Sequence, residues 1–396
     1  MATPKLRFKE FDGYLEKNNL INLTLWASGG TPSKKNKDYW MGDIPLISGA
    51  SMHTRKICES EFNITDLGLK KGSKLAPKNS ILILVRGSML FKKIPMGMAL
   101  KDVAFNQDVK SIITKEDLNE YYFFQWLLSQ ENIIQNKVTS TGIGAGKLDT
   151  SELQNLEIYY PAKEEQTKIA TFLSAVDTKI DELTQKHELL TEYKKGMMQQ
   201  LFSQKLRFKA DDGSDFEDWE ESLIGNVFTN KSESFNPKVE NNLPCIELEH
   251  LSQGTGTILG TTDSKNQKST KNVFERSNVL YGKLRPYLNK FAQPDFKGVC
   301  STEIWVLTGI EISNNYLYQY IQSEGFSELT SIQSGSKMPR ADWKTVASAV
   351  MSYPCCEEQT KIANFLTAID QKIDNVAEQI DHAKTWKKGL LQQMFV

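Results

Sequence analysis

At 396 residues, with 39% hydrophobic and 24% charged side chains, the chain is long enough for two or three cored domains and too apolar to be disordered. Its 48 Lys and Arg against 49 Asp and Glu leave a net charge of −1, which excludes a uniformly basic surface and moves any nucleic-acid reading onto local stretches. The aliphatic run 81–85 is far short of the roughly 20 residues that span a bilayer, residues 1–10 are charged instead of signal-like, and five cysteines without C-x-x-C spacing beside four scattered histidines form no zinc pattern. A cytoplasmic protein with no membrane segment and no metal of its own is expected.

In chain order, a short lead, Lys5-Leu6-Arg7-Phe8-Lys9 with Asp12-Gly13, precedes a region of short β-rich runs and Gly, Pro and Ser turns from about residue 20 to 159. Residues 67–101 hold eight Lys/Arg and no acid, so with the flanking basic residues they form a cationic surface candidate: Lys34, Lys35, Arg55, Lys56, Lys70, Lys71, Lys74, Arg86, Lys92 and Lys93, with Ser88 as a neutral donor. The hydrophobic run 80–86 reads as a strand feeding the loop Arg86-Gly87-Ser88, and residues 119–130 read as a helix. Thr141-Gly-Ile-Gly-Ala-Gly-Lys147 superficially resembles a phosphate loop. However, Thr141 stands where the first glycine belongs and Leu148 replaces the metal-binding hydroxyl, so a hinge, a DNA-facing loop and plain turn chemistry all remain open.

From residue 160 the pattern turns helical. Ile169, Leu173, Val176, Ile180, Leu183, His187, Leu190, Lys194, Met197 and Leu201 step alternately by four and three, a heptad seam, and Glu164-Glu165 place carboxylates in the first turn against the positive end of the helix dipole. The lead then returns as Lys205-Leu206-Arg207-Phe208-Lys209 with Asp212-Gly213, followed by seven acids between 211 and 221. A second β-rich region, 222–352, carries its own basic stretch. Residues 264–290 hold seven Lys/Arg and one acid: Lys265, Lys268, Lys271, Arg276, Lys283, Arg285 and Lys290. Within it the run 278–281 reads as a strand entering Gly282-Lys-Leu-Arg-Pro-Tyr287, which adds Tyr287 and Asn289 as candidate contacts. Residues 315–323 read as a helix, and Ser334-Gly-Ser-Lys-Met-Pro-Arg340, with Lys337 and Arg340, takes the place that 141–147 holds in the first half. A final seam runs through Ile362, Leu366, Ile369, Ile373, Val376, Ile380, Ala383, Lys387, Leu390 and Met394.

Residues 160–202 and 353–395 align at a constant offset of 193 with 22 of 43 positions identical and no gap, sharing Y-P-x-x-E-E-Q-T-K-I-A-x-F-L, A-x-D-x-K-I-D and K-K-G-x-x-Q-Q-x-F. A domain-sized period excludes a solenoid and implies a duplicated module. The expected fold is mixed α+β: two similar α/β regions separated by two long antiparallel coiled-coil helices, in a pseudo-two-fold duplication. The segments are 1–158 (with the lead 1–17), 159–204, 205–352 and 353–396. Leu173, Val176, Ile180, Leu183, Leu190, Leu366, Ile369, Ile373, Val376 and Ile380 are expected to line the helix-pair interface, and the lead at 5–9 is placed to dock where the second helix ends, as 205–209 does after the first.

Ser28-Gly-Gly-Thr-Pro-Ser33, Tyr39-Trp40, Gly42-Asp43-Ile44-Pro45, Gly282-Lys-Leu-Arg-Pro-Tyr287, Cys300-Ser-Thr-Glu303 and both E-E-Q-x-x-I-A-x-F-L helices resemble type I restriction-modification specificity (S) subunits over essentially the whole chain. The resemblance implies two target recognition domains, each reading half of a bipartite, asymmetric double-stranded DNA sequence, with the helices setting the unread gap. It also implies two modification subunits that methylate adenine N6 from S-adenosylmethionine, and restriction subunits that use ATP and Mg to cut. Those cofactors belong to the partners. The sequence itself carries no N-P-P-Y or D-P-P-Y tetrapeptide, no good G-x-G cofactor loop after a strand, and no P-D with D/E-x-K pair for a nuclease, since Pro294-Asp295 is followed only by Glu303-Ile304-Trp305. The competing expectation is a non-catalytic coiled-coil adaptor that binds proteins through both variable regions.

Overall fold

A computed structural model of the chain describes residues 3–142, 144–332 and 338–396, and the chain divides into two compact units: residues 1–184 with 378–396, and residues 185–377. The division falls inside both long helices, so each unit holds one β-rich region and one half of each helix.

In the first unit the strand Ile81–Leu84, wholly buried, lies central in a five-stranded sheet in the order Thr24–Ser28, Val109–Thr114, Ile81–Leu84, Met96–Ala99, Lys56–Ile57. A second sheet runs Asn63–Ile64, Trp40–Ile47, Val103–Phe105, Lys74–Ala76, with Trp40–Ile47 and Val103–Phe105 parallel. The second unit repeats the plan. Phe228–Thr229, Ile304–Gly309, Val279–Gly282 and Phe291–Ala292 form one sheet, and Ser234–Phe235, Lys271–Phe274, Gly298–Ser301, Pro244–Ile246 and Thr262–Asp263 form the other, again with one parallel pair, Pro244–Ile246 beside Gly298–Ser301. A parallel pair needs a crossover, and its recurrence at the same place marks common topology where little sequence is shared.

Helix α1, Glu120–Ser129, starts where Asn119 accepts the N–H groups of Tyr121 and Tyr122, and the aromatic run Tyr122–Trp126 buries it. The long helix α2, Lys163–Phe202, follows. In the second unit α3, Asn314–Tyr320, is capped by Ser313, and α4, Cys356–Met394, closes the element order. All twenty seam positions are buried or half-buried, Lys194 and Lys387 included.

The repeated peptide motifs do the same jobs in both units. Arg7 pairs with Glu165 through two hydrogen bonds of 2.7 and 2.6 Å, and Arg207 pairs with Glu358 at 3.2 and 2.8 Å. The hydrogen bond to Glu165 holds the Arg7 pKa above its ordinary value against the opposing effect of burial. Leu6 N–H donates to the Gln393 carbonyl, and Leu206 N–H to the Gln200 carbonyl. Phe8 meets Phe172 edge-on, as Phe208 meets Phe365. The lead at 5–9 therefore docks on the end of α4 as expected. Because adjacent residues 6 and 7 touch 393 and 165, while Asp177 meets Lys387, the two helix segments of the first unit run antiparallel. Lys194–Asp370 with Arg207–Glu358 gives the same direction in the second.

The repeated glutamine explains how each β-rich region is fastened. Gln166 accepts the Asn119 N–H and donates to the carbonyls of Asp117 and Pro161, and Gln359 accepts the Ser313 N–H and donates to those of Glu311 and Pro354. Thus one side chain of each long helix satisfies the backbone where the short helix of its region begins. Glu165, which the sequence places against the helix dipole, is also the buried anchor of the lead.

Candidate nucleic-acid interface

The strand Ile81–Leu84 delivers the chain through Val85 to an exposed Arg86, which lies in antiparallel register with exposed Lys147 of the strand Gly146–Lys147. The glycine-rich segment 141–147 is therefore a hairpin arm beside the basic loop, with Ile143 outside the described residues. Gly87 takes φ 149°, a backbone open to glycine, and so lets the loop turn directly into the helical turn Ser88–Phe91.

One strand away, Lys110 lies opposite Ser28 and donates to its hydroxyl at 2.5 Å. Burial, and then repulsion from Arg86 and Lys74, lower its pKa from the ordinary lysine value. Lys74, Arg86 and Lys110 therefore share one positive field, and among the described residues none of them has an ion-pair partner. Such a cluster gains by taking up an anion.

The Ser28–Ser33 motif borders the cluster because it is pressed flat against the second sheet. A Cβ at Gly29 would lie 2.0 Å from the Phe105 carbonyl oxygen, Thr31 donates to Gln107 at 2.9 Å, and the Trp40 indole donates to the Ser33 carbonyl at 3.1 Å. Lys34 and Lys35 follow, exposed, and Lys70 and Lys71 stand exposed on the last turn of the helix Asp66–Gly72.

Other candidates lie elsewhere. Arg55, Lys56 and Lys92 line a cavity of about 1050 Å³ between the β-rich region and the helix segments of the same unit, whose walls include Asp181, Lys384 and Lys388. Lys56 is taken by Asp181 at 2.5 Å. Ser88 and Lys93 are exposed on the turn after Gly87 and its continuation.

In the second unit the loop after Val279–Gly282 is built differently. Arg285 and Asn289 both adopt left-handed conformations, φ 53° and 46°, around the turn Pro286–Leu288. Non-glycine residues in this region cost about 1–3 kcal/mol each. The loop is held by Arg285 N–H to the Pro339 carbonyl, 2.7 Å, and Ala341 N–H to the Lys283 carbonyl, 2.8 Å, with Leu284 bridging Arg340. Arg285 and Tyr287 project into solvent from this frame, and Lys283 and Asn289 are half-buried. Lys265, Lys268 and Arg276 are exposed.

Three second-unit candidates are otherwise engaged. Lys271 is 3% exposed and locked to Glu247 at 2.5 Å, so the expectation that it contacts phosphate is corrected: it is a buried ion-pair member in the sheet. Lys290 spends its ammonium on the Leu248 carbonyl, and Arg340 is held by Glu303 at 3.0 Å. Lys337 lies outside the described residues. Conversely, the sequence does not single out Lys110, and it places Lys147 only at the end of the 141–147 segment, for which a DNA-facing loop is one of three open readings. Neither belongs to the acid-free stretch, and only strand pairing brings them to Arg86.

Among the described residues no group of three His, Cys, Asp or Glu side chains is placed to hold a metal, and no helix is long and apolar enough to cross a membrane. The model of the type I restriction modification DNA specificity domain matches the chain twice, at residues 19–192 and 216–384. The chain is 34% identical over 182 residues to the EcoR124I/EcoR124II specificity subunit of Escherichia coli, a match spanning 46% of this chain and 45% of that relative. It is 25% identical to the MjaIX specificity subunit of Methanocaldococcus jannaschii across 93% of this chain and 89% of that one. In fold it is similar to the S subunit of a type I restriction-modification system from M. genitalium, with a TM-score of 0.62 at 18% identity over 100% and 99% of the two chains. The doubled match, on two units with one topology and one set of fastenings, shows that the chain belongs to the type I restriction-modification DNA specificity family, as a specificity subunit that recognises DNA and is itself non-catalytic.

Proposed function

We propose that each unit reads one half of a bipartite, asymmetric duplex sequence, and that this chain thereby directs adenine-N6 methylation or ATP-dependent cleavage performed by partner subunits in the cytoplasm. The observation that carries this reading is the pattern of the duplication: the central strand order recurs and the fastenings match residue for residue, while the loops after Ile81–Leu84 and Val279–Gly282 differ in both sequence and backbone conformation. A scaffold copied twice under two different loops suits recognition of two different half-sites. Lys74, Arg86 and Lys110 in one unit, and Arg285 with Tyr287 in the other, are the side chains free to meet phosphates and base edges. Lys34, Lys35, Lys70, Lys71, Lys93, Lys265, Lys268 and Arg276 supply the surrounding field.

Partner docking has a matching signature. Tyr193 and Trp386, related by the 193-residue offset, are 51% and 54% exposed on the long helices, one in each unit. Exposed Trp and Tyr are the residue types that anchor protein interfaces, so two equivalent positions suit two copies of one modification subunit. S-adenosylmethionine, ATP and Mg are assigned to the modification and restriction subunits.

Duplex competition against rising salt tests the reading, because counterion release makes a DNA reader lose affinity steeply, whereas an adaptor binding only proteins ignores DNA. Within the complex, Arg86→Ala and Arg285→Ala are each expected to cost about 1–3 kcal/mol of discrimination at a different half-site. Single-molecule sequencing of methylated adenines reads both at once, and equal relaxation of both half-sites by either variant would refute the assignment.

A further inference from the structure

Both long helices bury a lysine in their apolar seam and pair it with an aspartate of the other long helix; Lys194 also donates to Gln322 at 2.7 Å. In the first unit Lys387 reaches the two carboxylate oxygens of Asp177 at 2.5 and 2.6 Å, and Gln125 of α1 donates to the same carboxylate at 2.8 Å. In the second, Lys194 reaches Asp370 at 2.6 Å and Gln319 of α3 donates to it at 3.2 Å. Asp177 and Asp370, and Lys194 and Lys387, are repeat mates. Gln125 and Gln319 are not part of the aligned repeat, since they come from the β-rich regions that share little sequence. Each is almost wholly inaccessible, at 2% and 0% exposure. Every triad thus joins three elements of its own unit: the short helix of the β-rich region, one long helix and the other.

A buried ion pair is a poor device for stability, because desolvation offsets most of the attraction and apolar residues of similar size commonly do as well or better. It is a good device for geometry, since charge and hydrogen-bond direction admit one arrangement where an apolar contact admits several. Burial lowers the Lys387 pKa, as expected for a lysine kept dry, and Asp177 opposes that effect.

We infer that Gln125–Asp177–Lys387 and Gln319–Asp370–Lys194 are positioning joints that fix the angle at which each recognition region is carried on its helix pair, so that together they sharpen the choice of spacer length between the half-sites. The inference rests on the bipartite reading above. The three residues of each joint touch no DNA in this scheme and act through the placement of the loops.

The test uses the full chain assembled with its modification subunits and a set of duplexes carrying both half-sites, with the spacer shortened or lengthened by one or two base pairs. Gln125→Leu and Gln319→Leu should each lower the ratio of methylation at the parental spacing to that at neighbouring spacings by at least about tenfold, the factor one hydrogen bond to a charged group supplies, with half-site sequence preference retained. The apolar replacement Gln125→Leu/Asp177→Leu/Lys387→Met should keep the melting temperature yet show the same loss of spacing discrimination. A folded variant with unchanged spacing preference overturns the inference, as does a lower melting temperature with the ratio intact, which would make the triad merely structural. Should the triple variant not fold, the two single glutamine variants decide the matter. Wild-type complex indifferent to spacer would refute the bipartite reading itself, whereas a selective wild type beside equally selective variants refutes the joints alone.

Discussion

The two loops that leave the central strands occupy one backbone position and solve it in opposite ways. Strand pairing equates Leu84 with Gly282 and Arg86 with Leu284, so the arginine stands one residue later in the second unit, where Gly87 stands in the first. A one-residue shift on an extended chain turns a side chain to the other face. The first loop gives the unusual conformation to a glycine and keeps its arginine on ordinary backbone, whereas the second forces the arginine itself into the left-handed region. Divergence here has altered which direction the cation points while leaving the sheet beneath untouched. The fastenings show the reverse: Arg7–Glu165 and Arg207–Glu358 match atom for atom in plan, and the second adds an Arg207 bond to the Glu217 carbonyl at 2.5 Å and a Trp219 indole N–H donated to Glu358 at 3.0 Å.

The added indole bond gives the largest expected effect. Glu165→Ala removes the charged hydrogen bonds of half-buried Arg7 and should destabilise the first unit by about 1.5–3 kcal/mol. Glu358→Ala leaves the buried Trp219 N–H unpaired, adding about 1–3 kcal/mol to the loss in the second unit, where Arg207 still keeps the Glu217 carbonyl. Hydrogen exchange followed separately in residues 1–184 and 185–377 checks the order, and equal costs would show that the Glu217 bond offsets the lost indole bond.

The loops give a smaller and signed contrast. Gly87→Ala should destabilise by about 1–3 kcal/mol because only glycine rests at that φ. Arg285→Gly should leave the melting temperature unchanged or raise it, relief of the left-handed strain outweighing the roughly 0.4–1 kcal/mol of added unfolded-state entropy, even as its half-site is lost. A drop in stability for Arg285→Gly would mean that the arginine side chain is itself a structural tie.

The smallest effect is at acid pH. Asp149 and Asp342, again 193 residues apart, cap the helices Thr150–Gln154 and Trp343–Ala347, and hydrogen bonds from the backbone N–H groups of Ser151 and Thr345 lower their pKa values. A carboxylate whose folded pKa is depressed binds its proton less readily than in the unfolded chain, so its contribution is complete above the unfolded value near 4 and fades as pH falls through the folded one. Asp149→Asn and Asp342→Asn should flatten that acid limb equally in both units, since both caps are solvent-exposed.

How much was readable beforehand follows from the range of each interaction. The seams, the antiparallel pairing and the docked lead were legible because heptad spacing and a 22-of-43 repeat are local patterns. Arg86 and Arg285 were legible because each directly follows a hydrophobic run. Lys110 was not, nor was the place of Lys147 beside Arg86, since each reaches Arg86 only through a neighbouring strand, and strand order is not written in either segment. Lys271 misled for the complementary reason: its sequence neighbours are basic, but the partner that buries it, Glu247, is 24 positions away on another strand. The seam lysines read as polar interruptions, and their purpose emerged only with the glutamines supplied from outside the repeat.

The docking of Leu6 on Gln393 also sets the order in which the molecule can be finished. The second unit is one uninterrupted stretch, 185–377, and is complete as soon as that stretch has left the ribosome; the first combines 1–184 with 378–396. At about 5–20 residues per second, the earliest-made sheets wait on the order of 10–40 seconds for the helical segment that covers them. During that interval the apolar surface that Leu390, Leu391, Met394 and Phe395 cover stays bare, so this half of the newborn chain is the one more in need of chaperone shelter.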